Sequence, residues 1–264
     1  MTTAEKFDSS LSKWLSSLDE PWNRLRYAVF RHNLKRHLPE GALRILDAGG
    51  GSGSDAIPLA LDGHQVTLVD FSAQMLDQAR QNAEASGAAD RMTFQQADVM
   101  DIPALFPEPA FDAVLCHNVI QYVEDMPGAV KAICAPLKPG GVVSVININR
   151  YSDTLQAALL RLDLDQAREQ IGLTEAYTPM FETTLKRYAG EEMIAPLEAA
   201  DCALLGHYGV RCVNDYIQDN TLKADPEFYA RLERLEIALS SEYPYYLIAR
   251  FFQLIAQKQE PIQA

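Results

Sequence analysis

Apolar and polar positions along the 264-residue chain follow two periods, and the switches between them divide the sequence into elements. Phe7, Leu11, Trp14, Leu15 and Leu18 recur at three-to-four spacing, which predicts an amphipathic helix over 5–19. A second helix is expected from Pro21 to about Leu38: Leu25, Val29 and Leu34 keep the period, Pro21 suits a first helical turn, and Pro39 stops the run. Beyond it the pattern shortens. Apolar runs at 43–47, 65–70, 91–96, 111–116 and 142–146 read as strands, separated by helical stretches at 55–62, 72–87 and up to Leu137. Such alternation is the mark of a doubly wound parallel sheet. Residues 150–188 break it, with helical leucine spacing from Leu155 to Leu164 and then a loop over 172–184. The alternation resumes with a helix at 190–201 and a strand at 203–213. A helix from Asp225-Pro226 to about Leu239 follows, and a closing strand runs from Tyr245 to Ile255. The expected organisation is a helical cap (1–42), an α/β domain (43–257) with insertions at 150–188 and 214–243, and a loose tail (258–264). The first insertion would leave the sheet edge that holds ligands in open α/β folds, the place for a lid.

Candidate chemistry concentrates at that edge. Arg44 to Ser54 reads R-I-L-D-A-G-G-G-S-G-S: a buried strand, a carboxylate at Asp47, then a turn built from Gly49, Gly50, Gly51 and Gly53. Glycines let the chain turn tightly and let a ligand approach the backbone, and the helix that follows aims its first N–H groups at the same place. Gly51-x-Gly53-x-x-Ala56 also satisfies the dinucleotide fingerprint, so a nicotinamide dinucleotide-binding domain is the competing fold. Asp47 argues against it, because a carboxylate over the turn repels a pyrophosphate and suits an ammonium group. Asp70 ends the second strand 23 residues later, where an acid accepts both hydroxyls of a ribose. Asp98, with Val99 and Met100, follows the third strand and suits an adenine. The three acids are expected level with one another, around one nucleoside. His117 and Asn118 end the fourth strand over the same edge. His117 could face a ligand or be held by a backbone carbonyl.

Composition narrows the classes. Hydrophobic content of 48% and charged content of 22% are ordinary for a globular chain. No apolar run nears the roughly 20 residues that span a bilayer. Lys6, Asp8, Lys13 and Asp19 stand where a signal peptide would be apolar, so a cytoplasmic protein without a membrane partner is expected. Cys116, Cys134, Cys202 and Cys212 form no C-x-x-C, and the histidines form no H-E-x-x-H; neither a metal site nor a disulfide framework is expected. The net charge of −13 is uneven: residues 1–44 hold eight basic against five acidic residues, the remainder 15 against 31. An acidic body argues against broad nucleic-acid binding.

Asp47, Gly49, Gly51 and Gly53 spell D-x-G-x-G-x-G, which resembles the first motif of class I S-adenosylmethionine-dependent methyltransferases, and L-K-P-G-G at 137–141 is a further match. The resemblance implies a Rossmann-like, seven-stranded mixed sheet with helices on both faces. The implied cofactor is S-adenosylmethionine, the implied product S-adenosylhomocysteine, and the implied reaction in-line methyl transfer to oxygen or nitrogen. More narrowly, L-D-A-G-G-G, D-F-S-A-Q-M-L (70–76), the His117 strand end and G-V-R-C-V-N-D-Y (209–216) look like the bacterial methyltransferases that esterify 5-carboxymethoxyuridine in tRNA. That likeness implies that Arg26, Gly49, Gly50, Asp70, Val99, Met100 and His117 touch the cofactor; Asp47, Gly51, Gly53, Phe71, Met75 and Asp98 complete the cofactor-binding candidates. Arg26 belongs to a basic helix face with Arg24, Arg31, Lys35 and Arg36. That face could be merely solvated, or Arg26 could reach the carboxylate of the cofactor's amino-acid end.

For the acceptor, His117, Arg211 and Tyr216 are the catalytic candidates. Arg211 sits among apolar neighbours, and a buried guanidinium needs an anion: either Asp215, or the acceptor's carboxylate held together with Tyr216 and Tyr151. The insertion departs from the lysine-rich pattern of the tRNA enzymes, carrying Asp163, Asp165, Glu169, Glu175 and Glu182 against Arg168 alone. This disfavours tRNA as a partner and keeps open a small-molecule O- or N-methyltransferase. A non-catalytic S-adenosylmethionine-binding protein is the remaining alternative.

Overall fold

The computed structural model describes residues 20–178 and 183–260. The helix expected over 5–19 lies outside the described residues. Helix α1 (Pro21–Lys35) starts on Pro21 and buries Leu25, Val29 and Leu34, the residues whose spacing predicted it. Then β1 (Arg44–Ala48), α2 (Ala56–Leu61), β2 (Gln65–Asp70), α3 (Ala73–Ser86), β3 (Met92–Gln96), α4 (Ile102–Leu105), β4 (Phe111–His117), α5 (Met126–Cys134) and β5 (Leu137–Ile148) alternate, the short α4 being the one of these that the pattern does not predict. The punctuation of α3 shows why it forms where it does. The Ser72 side chain accepts a hydrogen bond from the Met75 amide at 3.1 Å, and Gly87 ends the helix at φ +77°.

The first insertion holds α6 (Arg150–Leu159), α7 (Leu164–Glu169), and the strands β6 (Glu175–Thr178) and β7 (Thr183–Lys186). After it come α8 (Ile194–Ala199), β8 (Cys202–Val210), α9 (Asn220–Ala224), α10 (Pro226–Leu239), α11 (Tyr245–Ile248) and β9 (Phe251–Lys258). The main sheet has seven strands in the order β3-β2-β1-β4-β5-β9-β8, with β9 antiparallel to both neighbours and the other pairings parallel. Two buried clusters lie against it, one around Leu46, Val114, Val145 and Leu254 and the other around Ile45, Leu68, Leu76 and Leu115. A third cluster packs α1 and α10 against the β8-β9 end through Leu25, Val29, Val210, Leu232 and Phe251.

Four sequence expectations need correction. The loop over 172–184 contains a two-stranded ribbon in which Glu175 pairs with Lys186, their side chains bridged at 2.6 Å; each strand is too short to show a period. The closing strand begins at Phe251 and not Tyr245. The Leu247 and Ala249 carbonyls accept from the Asn149 side chain at 2.7 and 3.0 Å, leaving them outside the ladder. The strand over 203–213 ends at Val210, because Arg211 takes φ +63°. Lastly, the three acids are not level. Asp47 pairs with Leu68 and Leu115, two residues short of Asp70 and His117, while Asp70 pairs with Gln96, two residues before Asp98. At ~3.3 Å per residue each step displaces a side chain by about 7 Å.

Candidate active site

The carboxyl ends of β1, β2 and β4 open into a cavity of about 720 Å³, reached also by α1 and by the insertion through Thr178 and Leu185. Its floor is the glycine turn. The amides of Gly49 and Gly50 both reach the Val69 carbonyl, at 2.7 and 3.2 Å, which pulls the turn across β2. Gly49 has φ +77°, and a Cβ there would stand 2.3 Å from Val119 Cγ2. Gly51 has φ +54° and open space where its Cβ would be. A ligand can therefore lie directly on the Gly51 backbone. Asp70 props that turn, with its Oδ2 accepting from the Gly51 amide and its Oδ1 from the Ser72 amide, both at 2.9 Å.

Of the predicted residues, Arg26, Gly49, Gly50, Gly51, Asp70, Phe71, Met75, Asp98, Val99, His117 and Arg211 line this cavity. Asp47, Gly53, Met100, Tyr151 and Tyr216 are not among its lining residues. Asp47 is underneath: a Cβ on Gly50 would fall 2.5 Å from Asp47 Oδ2, so this carboxyl faces the protein side of the turn. Its Oδ2 is buried without a hydrogen-bond partner, and burial, helped by Asp55 and Asp70, pushes its pKa well above the usual carboxylate range. Gly53 packs on Ile57 and Ala79 where α2 begins. Met100 is exposed, at the short turn capped by Asp98, whose Oδ1 accepts the Met100 amide at 2.9 Å. Burial pushes the Tyr216 phenol up to about 12, so it stands as the neutral phenol at neutral pH.

His117 is clamped at both ring nitrogens: Nδ1 lies 2.8 Å from Asp55 Oδ2 and Nε2 lies 2.9 Å from Ser144 Oγ. Phe30 packs edge-on against the ring. Ser144 in turn accepts from Gln253 Nε2 at 3.1 Å, and Gln253 Oε1 accepts from Asn33 Nδ2 at 3.1 Å, so a buried polar chain fixes the imidazole. The histidine is a rigid part of the wall.

Elsewhere in the cavity wall, three guanidiniums surround one ring. Arg26, Arg211 and Arg250 lie 5.5, 5.4 and 5.9 Å from the centroid of Phe251, and Arg211 also stands 5.0 Å from that of Trp22. Arg26 donates to the Tyr27 hydroxyl at 2.7 Å. Arg211 Nε donates to Asp215 Oδ1 at 2.7 Å, so the salt-bridge reading of Arg211 holds, and the residue lines the cavity as well. Asp153 bridges Arg187 and Arg250 at 2.8 and 2.7 Å. Asp153 and Asp215 are thus the carboxylates that the described residues bring to Arg250, Arg187 and Arg211.

Comparison with known proteins identifies the framework. A methyltransferase-domain family model matches residues 39–188. The tRNA 5-carboxymethoxyuridine methyltransferase of Escherichia coli strain K12 is 32% identical over 240 residues, covering 90% of this chain and 89% of its own. The chain belongs to the S-adenosylmethionine-dependent methyltransferases. Further from it, a ubiquinone biosynthesis O-methyltransferase of Methylocella silvestris is 36% identical over 177 residues, 59% of this chain and 66% of that one. The solved structure of an S-adenosylmethionine-dependent methyltransferase from Thermotoga maritima shares the fold, with TM-score 0.66 at 18% identity over 98% of this chain and all of that one. S-adenosylmethionine is the cofactor of this methyltransferase, and the open space at Gly51, the braced Asp70 and the buried, unpartnered Asn118 Oδ1 in the cavity wall fit it. Among the described residues no cluster of His, Cys, Asp or Glu could hold a metal, and no helix is long and apolar enough to cross a membrane.

Sequence reasoning missed Asp55 and Arg250. Asp55 read only as the residue before a helix, and its bond to His117 spans 62 positions. Arg250 was hidden inside an apolar run taken for strand; the single charge in Y-Y-L-I-A-R-F-F was the available signal.

Proposed function

We propose that this methyltransferase esterifies a carboxylate, and that its acceptor is 5-carboxymethoxyuridine in tRNA. The observation that carries this reading is the guanidinium cluster of Arg26, Arg211 and Arg250 around Phe251 in the cavity wall. S-adenosylmethionine supplies an already activated methyl group when bound. Asp70 takes the ribose hydroxyls, Asp98 and Val99 border the adenine, and the Gly49–Gly51 turn with Arg26 receives the amino-acid end. Arg211 and Arg250 hold the acceptor's carboxylate in line, and orientation is the protein's main contribution. A carboxylate is its own nucleophile at neutral pH. This agrees with a site in which His117 is spoken for at both nitrogens and Tyr216 stands outside the lining.

Two observations favour a nucleoside in RNA over a metabolite. The relative that covers 90% of the chain is named for that tRNA reaction, and Asp163, Asp165, Glu169 and Glu175 of the insertion are not among the residues that line the cavity. A groove of about 520 Å³, lined by Arg24, Arg31, Tyr229 and Glu233, adjoins the cavity through the shared Tyr27 and Ser54 and gives a phosphate backbone a place to lie. Such an acceptor would place the reaction in the cytoplasm. The experiment is to incubate the enzyme and methyl-labelled S-adenosylmethionine separately with tRNA from cells lacking this methylation and with a tRNA-free metabolite extract. Alkali-labile label in the tRNA supports the proposal; label confined to the metabolites replaces it with a small-molecule acceptor.

A further inference from the structure

We infer that Glu236, on α10 of the second insertion, is a positioning residue for the acceptor end of the site: it binds the backbone immediately after Arg211 and so fixes where that guanidinium points. The inference rests on the carboxylate-ester reading and assigns to that site a residue that does not line the cavity. Glu236 is fully buried. Its Oε2 accepts from the Cys212 amide at 2.6 Å, and its Oε1 accepts from the amides of Val213 and Asn214 at 2.9 and 2.6 Å. Three successive N–H groups converging on one carboxylate form a backbone nest, the arrangement that elsewhere captures an external anion. Here the protein supplies the anion itself. Burial raises the pKa of Glu236, and the three amide hydrogen bonds offset only part of that rise.

The turn it organises presents a functional side chain at each end. At one end Arg211 takes φ +63°, a conformation that residues with a Cβ adopt sparingly and that persists only where neighbours impose it. At the other, Asp215 receives Arg211 Nε at 2.7 Å, Asn214 Nδ2 at 2.9 Å and Gln156 Nε2 at 3.1 Å. The Arg211 carbonyl accepts the Arg250 amide at 3.0 Å, so the same turn also sets the second arginine of the acceptor end. A buried carboxylate is costly to desolvate, and an apolar side chain in its place would leave three consecutive amides without an acceptor. What an apolar side chain would not do is hold three consecutive amides in one direction.

The test is Glu236→Gln, which keeps the shape and one accepting oxygen but turns an NH₂ group toward a backbone N–H. Three quantities are read: thermal midpoint, S-adenosylhomocysteine affinity by titration calorimetry, and steady-state kinetics on tRNA carrying 5-carboxymethoxyuridine. The expected result is about a tenfold rise in acceptor KM with cofactor affinity and kcat little changed, the effect of one weakened charge-assisted contact. Arg211→Ala combined with Glu236→Gln should then be no worse than Arg211→Ala alone. An unchanged acceptor KM, a parallel loss of cofactor affinity, or additive effects in the double variant would overturn the inference. If the wild type transfers no methyl to this tRNA, the ester reading fails, and the positioning claim is decided without an acceptor. Arg211 lies over Trp22, so in a Trp14→Phe background Glu236→Gln should shift Trp22 emission in the same direction as Arg211→Ala; unchanged emission would refute it.

Discussion

Replacing Asp70 by asparagine separates two jobs that one carboxylate does. Asp70 is 6% exposed, and each of its oxygens already accepts a backbone amide, Gly51 at one and Ser72 at the other. Each oxygen has a further lone pair, and those are what a ribose would use. Asparagine keeps one accepting oxygen and puts an amide nitrogen where the other stood, so one of the two backbone donors loses its acceptor. A buried donor left unsatisfied costs about 1–3 kcal/mol, which sets the expected loss of stability without ligand. The cofactor loses one charge-assisted hydrogen bond and keeps one to a neutral oxygen, a difference of about 1–2 kcal/mol, or roughly 5- to 30-fold in Kd. Thermal melts of the ligand-free protein measure the first quantity. Calorimetric titration with S-adenosylhomocysteine, which cannot turn over, measures the second. If the melting point falls while the Kd stays within about twofold, Asp70 only props the glycine turn and the ribose assignment is refuted.

Three other perturbations follow from the same geometry. Gly49→Ala places a Cβ 2.3 Å from Val119 Cγ2 at φ +77°, so a loss of about 2–4 kcal/mol is expected from backbone strain and overpacking; adding Val119→Ala should recover only the packing part, as melts of both variants would show. His117→Ala strips a partner from Asp55, whose Oδ1 already has none, and should cost about 2–4 kcal/mol; Asp55→Ala added to it should recover part of that loss, and additive losses in a double-mutant cycle would contradict the clamp. The carboxyl of Asp47 is raised in the folded state by burial, so its contribution to stability is complete below its unfolded value near 3.8 and is lost as pH rises through the folded value. Melts across pH should therefore move in favour of Asp47→Asn relative to wild type as pH increases, whereas parallel profiles would show an unperturbed carboxyl.

Where local chemistry fixes local structure, reading the residues sufficed. Ser72 and Gly87 bracket α3 because a hydroxyl and a left-handed glycine complete its ends, and Asp70 reaches the ligand edge because V-T-L-V can only be a buried strand before it. The level of Asp47 was not legible, for a reason of register. The sequence distance to the glycines is two residues, but the pairing with Leu68 sinks it beneath the turn, and pairing is a property of the neighbouring strand. The acceptor end was the least accessible. Arg250 meets Arg211 only through the β8-β9 end of the sheet, Asp55 meets His117 across the cavity, and the 211–216 turn takes its shape from Glu236 on a helix 20 residues further on. Those contacts are made by tertiary packing, and no window of sequence contains both partners of any of them.

Methyl transfer to tRNA carrying 5-carboxymethoxyuridine, followed by hydrolysis of the tRNA and analysis of its nucleosides, puts the guanidinium cluster to the test. The wild type should convert the carboxylate of that uridine to its methyl ester, while Arg211→Met and Arg250→Met should bind S-adenosylhomocysteine normally and lose about 10- to 100-fold in kcat/KM for the tRNA. Label on a nitrogen, label confined to small metabolites, or an ester formed equally well by both arginine variants would contradict the assignment of the guanidinium cluster to a carboxylate.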